Sequence, residues 1–221
     1  MRSGSAVART GRKVIGVYAI ALGAARGLSG ARGEPLRVIA RDDLELVCGD
    51  APPELSADAV RAHEAAVRRI AEAAQACLPA RFGSTARDEA SLVEAIAGRE
   101  TELAEALRLV RGREQMTLRV YGTLPSLRAP GGPGTRYLHG RRRARALPEL
   151  EPLRTALGDL IRAERVEAHA EPGLVASVYH LIDRGRSAQY LRAVENAPSE
   201  PLRISATGPW PAWSFAPELL P

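Results

Sequence analysis

The sequence predicts an α+β protein of two small α/β domains, each a mixed sheet covered by helices, ending in an extended aromatic C-terminal tail. Three observations lead there. Short β-branched runs are interleaved with stretches of helical period along the whole chain. A segment dense in proline and glycine, TLPSLRAPGGPGTR, interrupts that pattern at residues 123–136. Both tryptophans and one of the two phenylalanines sit in GPWPAWSF, residues 208–215, where prolines break regular structure. The bounds that follow are a leader at 1–12, a first domain at 13–122, a linker at 123–140, a second domain at 141–207 and the tail at 208–221.

The elements follow in chain order. VIGVYAI, from Val14, is apolar on both faces, as a central strand is. Its β-branched residues and Tyr18 suit a strand better than the core of a signal peptide. A loop carrying Gly23, Gly27, Gly30 and Gly33 comes next. LRVIARDDLELVCG then reads as a hairpin turning at Asp42-Asp43. After APPELS, Ser56 or Asp58 caps a helix whose stripe is Val60, His63, Val67, Ile70, Ala74 and Cys77, with Pro79 ending it. A second helix runs from about Asp88 to Arg111 on Leu92, Ile96, Leu103, Leu107 and Val110, weakened at Gly98 and stopped at Gly112. EQMTLRVYG alternates as a half-buried strand. Beyond the linker, Leu150, Leu153, Leu157, Leu160 and Ile161 give a helical stripe, LVASVYHLID a buried strand, Ser187 the cap of a short helix, and LRISATG a last strand that meets Gly208-Pro209.

The balance of charge narrows the function classes. The net charge is +5 and almost every basic residue is arginine. Acidic residues are interspersed nearly everywhere, which argues against a nucleic-acid partner. No apolar run approaches the ~18 residues that span a bilayer. Cys48 and Cys77 lack metal or redox spacing and read as small buried hydrophobes. The glycine loop has G-x-x-x-G-x-x-G-x-x-G spacing, which differs from the dinucleotide fingerprint, and no Walker lysine follows. A small-ligand or nucleotide-binding enzyme using Gly23–Gly33 is the alternative reading. His63-Glu64 lacks the second histidine of a zinc helix, and His139, His169 and His180 are scattered. Ser29 lacks a nucleophile elbow. The sequence offers no catalytic residue, no metal ligand and no cofactor site. RRRAR supplies Arg141, Arg142, Arg143 and Arg145, which read as a solvated helix entrance or a patch for an acidic protein surface, with phosphate contacts of a nucleic-acid-binding regulator as the lesser alternative.

Two stretches are more specific than these. Leu78-Pro79-Ala80-Arg81-Phe82-Gly83 sits between the first two helices, and Gly208-Pro209-Trp210-Pro211-Ala212-Trp213-Ser214-Phe215 closes the last strand. In this order and spacing they resemble the L-P-x-R-F-G-T turn and G-P-W-P-P-Y-S-F tail of the gas vesicle protein F/L family. The likeness runs from Val14 to Phe215. The departures are Ser84 for Thr, Ala212-Trp213 for Pro-Tyr, and Gln115 for a tryptophan. The resemblance implies a gas vesicle accessory protein, in the cytoplasm or on the vesicle. Its partners would be the small hydrophobic shell protein and other accessory proteins, and it would help nucleate or assemble the vesicle wall. It also implies a ferredoxin-like second domain. In this reading Phe82 plugs a core, Gly83 supplies a backbone angle, and Arg81 bonds open helix carbonyls near Cys77. Pro209 and Pro211 stiffen a segment from which Trp210, Trp213 and Phe215 clasp the body, the alternative being a hydrophobic anchor offered to a partner.

Overall fold

The computed structural model describes residues 14–24, 26–123, 147–169 and 173–219. The backbone divides into two compact units. One runs up to Arg108 and takes back the chain from Pro217; the other is Leu109–Ala216.

In the first unit, β1 (Ile15–Leu22) is buried along nearly its whole length. It lies between β3 (Leu44–Asp50) and β4 (Ala76–Pro79), with β2 (Arg37–Arg41) outside β3 and β5 (Thr85–Ala86) also pairing β1. A strand paired on both sides and covered on its faces needs an apolar residue at every position, as VIGVYAI supplies. The β2–β3 hairpin turns at Asp42-Asp43 as its sequence predicts, with Arg41 opposite Leu44 and Asp42 at φ 50°. Helix α1 (Ala57–Ala73) packs on β1 and β4. Its N-cap is Ser56, whose side chain accepts from the Ala59 amide at 3.1 Å. Its buried stripe is Ala59, His63, Ala66, Val67 and Ile70, while Val60 is exposed.

Three expectations for this unit fail, each for a physical reason. Pro79 does not end the first helix. The helix stops at Ala73, and Ala76–Pro79 pairs with β1, Ile20 opposite Leu78. Alanine-rich sequence favours helix locally, but pairing with β1 and full burial win. The long second helix is two, α2 (Glu89–Ile96) and α3 (Glu100–Val110), broken at Gly98 with φ 80°. At a left-handed angle glycine ends a helix rather than merely weakening it. Finally, the strand Arg113–Tyr121, here β6, belongs to the second unit rather than to a first domain ending at residue 122. Alternation marks a half-buried strand without saying which sheet takes it.

The second unit runs β6, α4 (Glu151–Leu157, between 3-10 turns at Pro148–Leu150 and Gly158–Leu160), β7 (Ile161–Ala168), β8 (Leu174–Asp183), α5 (Ser187–Asn196) and β9 (Arg203–Trp210). The strand order β7-β8-β6-β9 with this sequence of elements is the β-α-β-β-α-β, ferredoxin-like arrangement. One face of the sheet carries Met116, Leu118, Val120, Ala176, Val178 and Ile182. They pack with Leu150, Leu153, Leu157 and Tyr190 from the helical side. Helix α4 is shorter than its leucine stripe suggests, because from Ile161 the chain becomes edge strand β7. Ser187 is the first residue of α5, and Arg186 occupies the cap position, its side chain bonding Gln189 rather than capping the helix amides. All strand pairs among the described residues are antiparallel, so the sheets are antiparallel rather than mixed.

Candidate functional site

The Pro79–Gly83 turn is held by backbone bonds on both sides. The Ala80 amide donates to the Tyr18 carbonyl at 2.8 Å, and the Val17 amide to the Ser84 carbonyl at 2.9 Å. Gly83 sits at φ 89°, a conformation that side chains resist. Phe82 is half-buried, set edge-on to the ring of His63, which stacks on Tyr18 with centroids 5.0 Å apart. A carbonyl only accepts, so Nε2 of His63 carries the proton it donates to the Ala80 oxygen at 2.9 Å. Burial pushes the His63 pKa down. Arg81 does not reach the Cys77 region: its side chain is 83% exposed and faces Glu218. Ala74 caps α1 instead, its amide donating to the Ile70 carbonyl.

The glycine loop is tied down by the protein's own acids. The Tyr18 hydroxyl donates to Glu34 Oε1 at 2.7 Å and the Arg32 amide to Glu34 Oε2 at 2.8 Å. The Ala24 amide donates to Glu45 Oε2 at 2.6 Å. A Cβ on Gly30 would run into the Glu34 carboxylate. Burial, with Glu34 adding to it, pushes the Tyr18 pKa up to about 12. Carboxylates therefore take inward donors that a phosphate would need, and their charge opposes one.

At the other motif the strand runs further than the sequence suggests, through Gly208 and Pro209 to Trp210, which pairs with Gln115. The backbone of β6 comes so close that a Cβ on Gly208 would lie 2.9 Å from the Gln115 carbonyl oxygen. After Pro211 the chain turns back, burying Ala212 and leaving Phe215 only 2% exposed, while Trp210 and Trp213 are half-buried. Two residues outside the quoted motifs hold this turn. Gln115 Oε1 accepts from the Ser214 amide at 2.8 Å, its amide donating to Thr117. Arg165 donates to the Ser214 carbonyl at 2.6 Å and lies 5.4 Å from the centre of the Phe215 ring. Gln115, a departure from the family pattern, is thus a fastening point. Beyond the turn, Arg99 donates to the Glu218 carbonyl at 2.8 Å, and Leu219 is buried.

Between the second sheet and its helices lies a polar chain that the sequence did not reveal. His180 Nε2 bonds Glu164 Oε2 at 2.8 Å and its Nδ1 bonds the Tyr190 hydroxyl at 2.6 Å. Arg154 clamps Glu164 with two bonds and donates to the Leu147 carbonyl. The hydrogen bond from His180, aided by Arg154 against the effect of burial, holds the Glu164 pKa at about 2. Burial, with Glu164 adding to it, pushes the Tyr190 pKa far up. The chain joins two helices to two strands, each member satisfied, which is how a buried polar network specifies packing.

Arg141, Arg142, Arg143 and Arg145 lie outside the described residues, as does His139. Among the described residues no group of three or more His, Cys, Asp or Glu side chains is placed to hold a metal. No described helix is long and apolar enough to cross a membrane.

Comparison with known proteins places this fold. The family model of gas vesicle synthesis protein GvpL/GvpF matches residues 15–217. Gas vesicle protein L of Streptomyces sp. (strain CB03234) is 28% identical over 232 residues, covering 86% of each chain. The crystal structure of gas vesicle protein GvpF from Anabaena sp. PCC7120 superposes with a TM-score of 0.70 at 14% identity, covering 93% of this chain and 96% of that one. GvpF from Microcystis aeruginosa gives 0.70 at 16%, covering 92% and 99%. At such identities the two crystal structures speak for the fold. The family match takes in both motifs and nearly the whole chain, and so the chain belongs to the gas vesicle synthesis protein GvpL/GvpF family.

Proposed function

We propose that the chain is a non-enzymatic accessory protein. It binds the small, hydrophobic gas vesicle shell protein, holds it against aggregation, and assists nucleation or assembly of the wall in the cytoplasm. The observation that carries this reading is the family match over residues 15–217. Geometry adds support. The distinctive side chains are spent on structure: Phe82 and His63 on a turn, Gln115 and Phe215 on a latch. Each sheet ends in edge strands, β2 in the first and β7 and β9 in the second, whose open backbone groups suit strand addition. Arg141–Arg145 would then meet acidic groups, and other accessory proteins would join the assembly. The alternative of a small-ligand enzyme on the Gly23–Gly33 loop loses support because Glu34 and Glu45 engage that loop's amides.

The test is a pull-down of purified shell protein by the purified full chain over a range of salt. Saturable capture is expected. No capture at any ionic strength, together with a nucleotide that raises the melting temperature, would replace this reading with the enzyme.

A further inference from the structure

We propose that the helix-free face of the second sheet, around Tyr121, docks an acidic, extended segment of a partner protein. The inference rests on the protein-binding reading above and gives it a place. Met116, Leu118 and Val120 enter the helix-covered core, so Thr117, Arg119 and Tyr121 project from the other face of β6. Arg203 on β9 is directly opposite Tyr121, and its guanidinium carbon lies 4.6 Å from the ring centre. Arg119, two residues along the same face, is exposed and donates to the Ser177 hydroxyl at 3.4 Å. Among the described residues neither arginine has a carboxylate partner. Arg37, Arg61, Arg99, Arg154 and Arg162 all do. Two acids on this face lie away from them: Glu167, on edge strand β7, accepts from Tyr179, and Asp183, at the far end of β8, pairs with Arg162. Two positive charges, uncompensated among the described residues, thus stand exposed at the Tyr121 end of this face, whose Gln115 and Thr117 are buried.

Beside them is an open groove of about 400 Å³ lined by Tyr121, Gly122, Gly173, Leu174, Pro201 and Arg203. Leu174 and Pro201 give it an apolar wall. A guanidinium laid on a ring keeps its N–H edge free for a two-point grip on a carboxylate. The stack also fixes the side chain in advance, so less freedom is lost on binding. The same stack argues against nucleic acid, because Arg203 already covers the ring face on which a base would lie. The chemistry that fits is a glutamate or aspartate next to an aliphatic residue.

The experiment uses the full chain and a short fluorescein-labelled peptide of alternating Glu and Leu. Its Gln–Leu counterpart and a labelled oligothymidylate serve as controls. The acidic peptide is expected to bind in a salt-dependent manner, at least about tenfold tighter than the neutral one. R119Q/R203Q is expected to lose that preference with an unchanged melting curve, and R203K to retain part of it. Equal binding by wild type and the double variant, or preference for oligothymidylate, overturns the proposal. The double variant is also carried into the shell-protein pull-down. Loss of capture supports the site. Undiminished capture overturns the site and leaves shell binding standing. If wild type captures nothing, shell binding falls, and the peptide result alone decides the groove.

Discussion

Replacing Phe215 by alanine separates a structural latch from an exposed anchor. The side chain is 2% exposed, beneath Arg165. A buried aromatic removes about 150–250 Å² from water, which at ~25 cal/mol per Å² is about 4–6 kcal/mol as an upper bound. Core Phe→Ala changes cost about 3–5 kcal/mol. The contact with Arg165 is partly open to water and adds about 0.5 kcal/mol. We therefore expect F215A to lower the stability of the Leu109–Ala216 unit by about 3–4 kcal/mol, a large share of the 5–15 typical of domains. Urea titration followed by circular dichroism measures it, with the denaturant slope showing whether the same surface unfolds. Q115A leaves the Ser214 amide without its partner and should cost about 1–2 kcal/mol. A loss below about 0.5 kcal/mol for F215A, the range of surface substitutions, would refute the latch. Shell-protein capture abolished at the same time would make the ring a partner anchor.

Tyr190→Phe leaves the buried Nδ1 of His180 without its partner, so a loss of about 1–3 kcal/mol is expected, and a double-mutant cycle with H180L should show coupling near 1 kcal/mol. Additivity of the two changes would mean the bond contributes little. Acid should weaken the fold in two windows. The His63 pKa is lowered on folding, so its contribution is full above 6.5 and declines as pH falls below that value, because the unfolded chain takes up the proton first. The Glu164 pKa is depressed to about 2, so its contribution is full above about 4.5 and declines towards pH 2. Its side chain is 27% exposed, so after discounting for water this amounts to about 2 kcal/mol. Chemical denaturation across pH should show H63Q flattening the upper window and E164Q the lower. Gly83→Ala meets open space but keeps φ 89°, so about 1 kcal/mol should be lost; no loss would mean the turn relaxes freely.

How much could be read in advance depended on whether a local pattern had a single structural solution. VIGVYAI had one, because a strand buried on both faces admits no polar position. The cap of α1 had two candidates, Ser56 and Asp58, and the structure gives it to Ser56, three residues before the Ala59 amide it holds. The β2–β3 turn at Asp42-Asp43 followed from two apolar runs and a tolerant pair between them. Ala76–Pro79 was not legible, since Ala-Cys-Leu-Pro carries no period of its own and becomes strand only through β1. Edge strand β7 was hidden for the opposite reason. Its Arg, Glu and Ala residues look like a solvated helix, and only pairing with β8 makes them extended. Among site residues, the turn and tail were visible as motifs, but their fasteners were not. Gln115 and Ser214, or Arg165 and Phe215, meet across the sheet, and nothing in their sequence spacing announces it. The same holds for Glu164, His180 and Tyr190, which read as three unrelated polar residues until sheet and helix bring them together.

The central claim is that this chain works by holding an aggregation-prone shell protein. Its most direct test is synthesis of the shell protein in a cell-free translation system with and without the purified full chain, followed by sedimentation. The account expects shell protein to remain in the supernatant in proportion to the chain added, with the two co-eluting on gel filtration. Shell protein that pellets equally in both reactions, while the chain stays folded and alone, would contradict it.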